Sequence, residues 1–384
     1  MEKVKILKAV DIINDSVSEY EGERPFLSTG DLNLSTITNL ELHTFSEKPS
    51  RANQNVSSGD LILARMQGTV KVKLINNEDE NIIVSTGFLV LRPKSDTDKN
   101  YLFHLLKSSN FQNDKDKLCT GATQKAINNS NFEKLEIPLP NLATQQRIAA
   151  ILDQADAIIQ NNRAIVQKYD ALTQSLFLDM FGDPVKNEKG WGVKSLNDLC
   201  NKITDGTHDT PKRLTEGIKF ITGKHIRPFE IDYDNSDYVT EEIHKEIFKR
   251  CNPEYGDVLY TNIGVNFATA AMNTVEYEFS MKNVALLKYN RELLNGRYLV
   301  HILNNEFFKD KLKKTFGVGG AQQFLSLSNI KSILVLVPPI TLQNQFAERV
   351  AMIEAQKQQA QLELAKSEEL FQSLLQRAFK GELN

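Results

Sequence analysis

The apolar positions of this chain fall into two long helical stripes separated by short, strand-like runs. In the first stripe Ile148, Leu152, Ala155, Ile159, Asn162, Val166, Tyr169, Thr173, Leu176 and Met180 step alternately by four and three. That spacing keeps one face of a helix turned toward a partner helix. No Gly or Pro interrupts residues 144–181, and Gly182-Asp183-Pro184 come next as a stop signal. The second stripe, over residues 342–380, places Phe346, Val350, Ile353, Lys357, Ala360, Leu364, Ser367, Phe371, Leu374 and Ala378 in the same register, and Gly381 ends it. A helix of about 36 residues spans roughly 54 Å, and its apolar face needs a partner in water. The alternative is a core helix lying under its own domain, but globular helices rarely run this long.

The remaining chain reads differently. Asp60-Leu61-Ile62-Leu63-Ala64 and Ile82-Ile83-Val84-Ser85 are strand-like and sit between turn signals such as Ser58-Gly59-Asp60 and Thr86-Gly87. A helix is expected near Lys99–Ser108, and Pro138 and Pro140 close this region. A second mixed region opens with Gly190-Trp191-Gly192, whose tryptophan is expected to pack at the domain entrance. It continues through a polar, turn-rich stretch, Thr204 to Pro211. The expected organisation is a globular domain at 1–140, a long helix at 141–182, a second globular domain at 183–338 and a second long helix at 339–384. Two mixed α/β domains that each precede a long helix make the fold class α+β.

The two halves repeat each other. Asn131 to Ala149 reads NFEKLEIPLPNLATQQRIA, and Asn329 to Ala347, 198 positions later, reads NIKSILVLVPPITLQNQFA without a gap. The helices end alike, in Ser175-Leu176-Phe177 with Phe181 and in Ser373-Leu374-Leu375 with Phe379. Upstream, Gly59-Asp60-Leu61-Ile62-Leu63 answers to Gly256-Asp257-Val258-Leu259-Tyr260, and Tyr101-Leu102-Phe103-His104-Leu105 to Tyr298-Leu299-Val300-His301-Ile302. So long a period excludes a solenoid. One whole module is used twice, as suits a two-part target.

Composition narrows the class. The 384 residues suit two or three domains with ample apolar residues for two cores. No window approaches 18 consecutive apolar residues, and the N-terminus lacks a signal-peptide core. Three scattered cysteines, Cys119, Cys200 and Cys251, argue for reduced thiols in a cytoplasm and against disulfides or zinc. The formal net charge is −3, so nucleic-acid binding would need local basic patches or help from a partner.

Catalytic signals are poor. An amino-methyltransferase would carry an Asn/Asp-Pro-Pro-aromatic loop. The nearest strings, Asp183-Pro184-Val185 and Val337-Pro338-Pro339-Ile340, do not fit. No Glu-x-Lys string supplies a nuclease carboxylate and lysine. Gly217 to Lys224 is one residue too long for a phosphate loop, and His225 stands where a magnesium-binding Ser/Thr belongs. The histidines show no metal-ligand spacing. His208, beside Asp205 and Asp209, reads as a turn histidine.

Binding signals are better. Base readout needs donors and acceptors held on rigid edges. In the first domain Arg65 and Gln67 come after a strand, and Thr123, Gln124 and Lys125 lie in a loop just before the prolines. In the second, Lys224, His225 and Arg227, then Asn262 and Asn266, then Gln322 and Gln323 hold similar places. Lys309, Lys311, Lys313 and Lys314 form a basic run suited to phosphates. Any one of these residues is equally a solvated loop residue. Gln124 and Gln322 stand at the same point of the repeat, so they either read DNA or fasten the loop in both halves.

With these features in hand, the chain resembles the specificity (S) subunits of type I restriction-modification enzymes. The resemblance rests on the order domain, helix, domain, helix and on Gly-Asp at Gly59 and Gly256. It rests also on Gly121-x-x-Gln124 and Gly319-x-x-Gln322, and on Pro338-Pro339-Ile340-x-x-Gln343 at a helix start. Asp205-Gly206-Thr207-His208 with Thr210-Pro211, and Phe220 to Lys224, look like patterns of the family's target-recognition domains, which adds Thr207 and His208 to the DNA-binding candidates. The first domain lacks that string, so the two domains are expected to read different sequences. The resemblance implies a noncatalytic subunit whose helices pair as an antiparallel coiled coil and set the distance between two half-sites on double-stranded DNA. It implies no cofactor in this chain. Two methyltransferase (M) subunits would bring S-adenosylmethionine, and motor-nuclease (R) subunits would join for cleavage. A coiled-coil scaffold that ignores DNA, and a fragment of a single-chain restriction-modification enzyme, are the alternatives.

Overall fold

A computed structural model describes residues 3–79, 81–264, 266–316 and 324–383. The chain forms two compact units, Met1–Ile165 with Ala360–Asn384, and Val166–Gln359. Each is built around an antiparallel sheet that is buried on both faces.

In the first unit that sheet runs Val10–Ile13, Phe88–Pro93, Leu61–Ala64, Val72–Leu74. Side chains alternate across a strand, and here both sides are apolar. Leu61, Leu63, Leu89 and Leu91 pack on the helix Lys99–Lys107 through Tyr101, Leu102 and Leu105. Ile62, Ala64, Phe88 and Val90 face a second cluster with Leu27 and Val84. Those two residues come from a four-stranded sheet in which Arg24–Leu27 and Ile83–Ser85 run parallel.

The second unit repeats the plan. Its sheet runs Cys200–Asp205, Val284–Tyr289, Val258–Thr261, Ala270–Met272. Val258, Tyr260, Ala285 and Leu287 face one cluster, while Leu259, Val284 and Leu286 face another. A three-stranded sheet, Asp237–Val239, Ile218–Thr222, Ser280–Lys282, again contains one parallel pair.

The repeated Gly-Asp string has a local cause. Gly59 and Gly256 take φ values of 90° and 85°, which side-chain-bearing residues rarely adopt. The adjoining aspartates close the turn: Asp60 Oδ2 accepts from Ser57 N and Asp257 Oδ2 from Glu254 N, both at 2.9 Å. Arg92 then grips Asp60 through two nitrogens, and Lys288 pairs with Asp257 at 2.9 Å.

The long helices span Leu142–Phe181 and Ile340–Lys380. Every residue of the two predicted stripes is buried or half-buried. Within the first unit Ile148, Leu152 and Ile159 pack with Phe371, Leu375 and Ala378, while Asn162 Nδ2 donates to Ser367 Oγ at 2.9 Å and Arg163 meets Glu368. Within the second, Lys357 pairs with Asp170, and Arg349 lies 4.0 Å from the Met180 sulfur. As one helix ascends the other descends, so they run antiparallel. Each helix start is bolted to its own domain by a buried glutamine. Gln145 Oε1 accepts from Asp98 N at 2.8 Å, and its Nε2 donates to Pro140 O at 2.8 Å. Gln343 does the same with Asn295 N at 2.9 Å and Pro338 O at 2.8 Å. Tyr101 and Tyr298 hydroxyls donate to Pro138 O and Leu336 O. Trp191, the tryptophan expected at the domain entrance, donates from Nε1 to Phe181 O at the end of the first long helix.

Candidate nucleic-acid interface

In the second unit several loops converge beside the parallel strand pair. Thr207 N donates to Met281 O, and Asn283 N donates back to Thr207 O. The polar stretch from Asp205 is thereby stitched to the end of Ser280–Lys282. Gly206 permits this closeness, because a Cβ there would strike the Met281 carbonyl. His208 is largely exposed and held at both ring nitrogens, by Asn283 Oδ1 and by Asp205 Oδ2, each at 2.9 Å. Asn283 itself sits at φ 52°.

Beside this stitch lies a cavity of about 450 Å³ walled by Arg213, Lys224, Asn266, Lys282 and Asn283. Three of its nine lining residues are cations. Asn266 is braced by donating to Gly223 O and Ile226 O at 3.1 and 2.9 Å. Arg213 and Lys224 approach one carboxylate oxygen, Asp237 Oδ2, at 2.9 and 3.2 Å. Arg227, pointed at by its motif, pairs with Asp232 at 3.0 Å and keeps an exposed side chain.

Of the other candidates, some are buried with partners inside the domain and some are exposed. His225 is buried, and its Nδ1 accepts from Thr222 N at 2.9 Å. Burial, and then the neighbouring Lys224 charge, hold its imidazole below the usual value, so it closes the turn as a neutral ring. Asn262 is buried, and its carbonyl accepts from Leu325 N. Arg65 holds the matching place in the first unit: its carbonyl accepts from Ile127 N. Its guanidinium donates to Phe88 O at 3.0 Å and to Asn129 Oδ1 at 2.9 Å. Burial lowers its pKa. Gln67, Thr123, Gln124 and Lys125 are exposed. Gln67 N donates to Lys125 O, so two of the first domain's candidate loops lie side by side. Gly121, φ 137°, allows the tight return, since a Cβ there would strike Gln124 O. Lys309 is buried and paired with Glu306 at 3.3 Å. Gln322 and Gln323 lie outside the described residues.

Arg213, Asp237, Lys282 and Asn283 escaped the sequence reading. They come from three separate stretches of the chain and carry no motif; the pairing of Phe220 with both Asp237 and Ser280, and the bridge from Leu214 to Tyr238, gather them. The first unit has the same frame with other chemistry. In its parallel pair Ser85 stands at the strand position that Lys282 holds in the second. Among the described residues there is no cluster fit to hold a metal ion and no helix long and apolar enough to cross a membrane.

Comparison with known proteins agrees with this duplicated plan. The family described as type I restriction modification DNA specificity domain matches twice, at residues 4–168 and 188–364. The type I restriction enzyme MjaIX specificity subunit of Methanocaldococcus jannaschii is 24% identical over 276 residues, 67% of this chain and 63% of that protein. The match thus spans less than two thirds of that relative's length. The EcoKI specificity subunit of Escherichia coli is 22% identical over 361 residues, 87% of this chain and 76% of that protein. A solved structure described as the structural basis underlying complex assembly and conformational transition of the type I R-M system shares the fold. Its TM-score is 0.64 at 18% identity, covering 100% of this chain and 98% of that one.

Proposed function

The chain belongs to the type I restriction-modification DNA specificity family, and from that premise we propose that it is the DNA-reading subunit of such a complex. Each globular domain reads one half of a bipartite, asymmetric site in double-stranded DNA. The paired helices set the distance between the halves and dock two M subunits, which bring S-adenosylmethionine for methyl transfer. R subunits join for cleavage. The chain itself directs this chemistry without performing it.

The observation that carries the reading is one frame built twice with different chemistry at its loops. The core sheets, the Gly-Asp turns and the glutamine bolts recur in both units. The lining beside the parallel pair does not: a basic cavity marks the second unit, and Ser85 replaces Lys282 in the first. A repeated frame with unlike reading edges suits two unlike half-sites. A net charge of −3 does not oppose this reading, because DNA contact needs only a local group of cations, here Arg213, Lys224 and Lys282.

The test is domain exchange. Replacing residues 1–140 by the first domain of another member of this family, in the complex with M subunits, is expected to change one half of the methylated motif and leave the other. Methylome sequencing of cells carrying the chimera reads the result. A motif changed in both halves would refute independent readout.

A further inference from the structure

The cavity of the second unit holds its cations in two unlike ways. Arg213 and Lys224 share one counter-charge, Asp237, which sits on the strand Asp237–Val239 and is fixed there by the pairing Phe220↔Asp237. The shared oxygen, Oδ2, is buried and makes no aligned hydrogen bond. The two cations therefore meet it as charges, and their donors are not consumed. Lys282, on the same cavity, is fastened to the Thr210 hydroxyl and forms no ion pair among the described residues.

This difference decides what each cation can do. Attraction to the phosphate backbone scales with uncompensated charge. A carboxylate beside a cation cancels that attraction and adds repulsion of its own, so Asp237 makes Arg213 and Lys224 poor phosphate binders. Base reading has the opposite need. A guanidinium must bring its fork to guanine N7 and O6 together, and a buried carboxylate oxygen behind it keeps the cation in place while leaving the donors of the fork free. The geometry points to Asp237 as a specificity-determining positioning residue: it holds Arg213, with Lys224 beside it, for the N7/O6 edge of a guanine in the second half-site, while Lys282 takes a phosphate. This inference rests on the DNA-reading function proposed above and assigns roles within it.

The experiment uses the complex with M subunits and duplexes bearing the motif that methylome sequencing gives for the unaltered chain. Each second-half guanine is replaced in turn by 7-deazaguanine, which lacks only the N7 acceptor. One such replacement is expected to weaken binding about tenfold. Arg213→Lys keeps the charge but loses the fork and should abolish that sensitivity at an unchanged salt slope. Asp237→Asn should also abolish it and should tighten binding to unrelated DNA, with a steeper salt dependence; Asp237→Glu should restore sensitivity. Lys282→Ala should weaken all duplexes alike and flatten the log–log salt slope by about 0.9. The inference is overturned if no second-half guanine is sensitive to loss of N7, or if Arg213→Lys or Asp237→Asn keeps the sensitivity. A wild-type complex that prefers no two-part site would instead overturn the DNA-reading function itself. Arg213 is largely exposed, so its lysine variant does not depend on Asp237 variants folding.

Discussion

At the scale of the residue, the repeated glutamines at the helix starts mark attachment. Gln145 and Gln343 are 1% and 0% exposed, and each spends its amide on backbone groups of its own domain. Truncating either leaves one backbone N–H and two carbonyls without this partner, at about 1–3 kcal/mol for each group that stays buried and unpaired. Gln343→Ala is therefore expected to lower the melting transition of the second unit by about 2–4 °C for every kcal/mol lost. Calorimetry checks this, and an unchanged transition would show that the bolt contributes nothing. Arg65 teaches the same lesson from the other side. After a strand and before a glycine it reads as a base contact, and in the fold its guanidinium already donates to Phe88 O and Asn129 Oδ1. Sequence shows that a donor is present; it does not show whether the fold has already used it.

At the scale of the element, far more was legible. An apolar stripe advancing by four and three has few ways to bury itself, and every position of both stripes is buried or half-buried in the structure. The same periodicity left something over. Ile158, Ile165 and Leu172 stand seven apart on the first long helix and are 53%, 42% and 49% exposed. Seven residues return to the same helix face, so these three form a second apolar stripe that the chain leaves uncovered. Under the proposed function an M subunit covers it. Changing all three to serine should leave the thermal unfolding of the isolated chain almost unaltered, because exposed substitutions cost little, usually within about 0.5 kcal/mol. It should weaken association with the M subunit at least about tenfold, since an interface draws most of its energy from a few apolar anchors. Calorimetry of the chain alone and sedimentation of the mixed subunits measure the two effects, and undiminished association would assign the stripe to something else. The strands were read less well than the helices. Short apolar runs such as Leu61–Ala64 were plain, but the parallel pair that assembles the cavity joins segments some sixty residues apart and has no local signature.

At the scale of the whole molecule, the question is what fixes the separation of the two reading sites. The seam carries polar residues at Asn162 and Lys357. Asn162 meets Ser367, and Lys357 meets Asp170. An antiparallel alignment that sets Ile148 against Ala378 would place Asn162 opposite Leu364, so the bond to Ser367 lies within one turn of that register. The part-buried bond of Asn162 to Ser367 favours one register because a slip would break it, while Lys357 meets Asp170 at the exposed edge of the seam. Under the proposed function, helices held in one register act as a ruler whose length can be altered by insertion. Four extra residues in one helix add roughly 6 Å and rotate the rest of that helix by a little over one helical turn, which keeps the stripe roughly in phase. At about 3.4 Å per base pair, the unread spacer between the half-sites is then expected to grow by one or two base pairs. The half-sites themselves should stay the same, because no reading residue has moved within its domain. Methylome sequencing of cells carrying the lengthened chain gives the spacer directly. An active variant with an unchanged spacer would show that the separation is set elsewhere than in the helices.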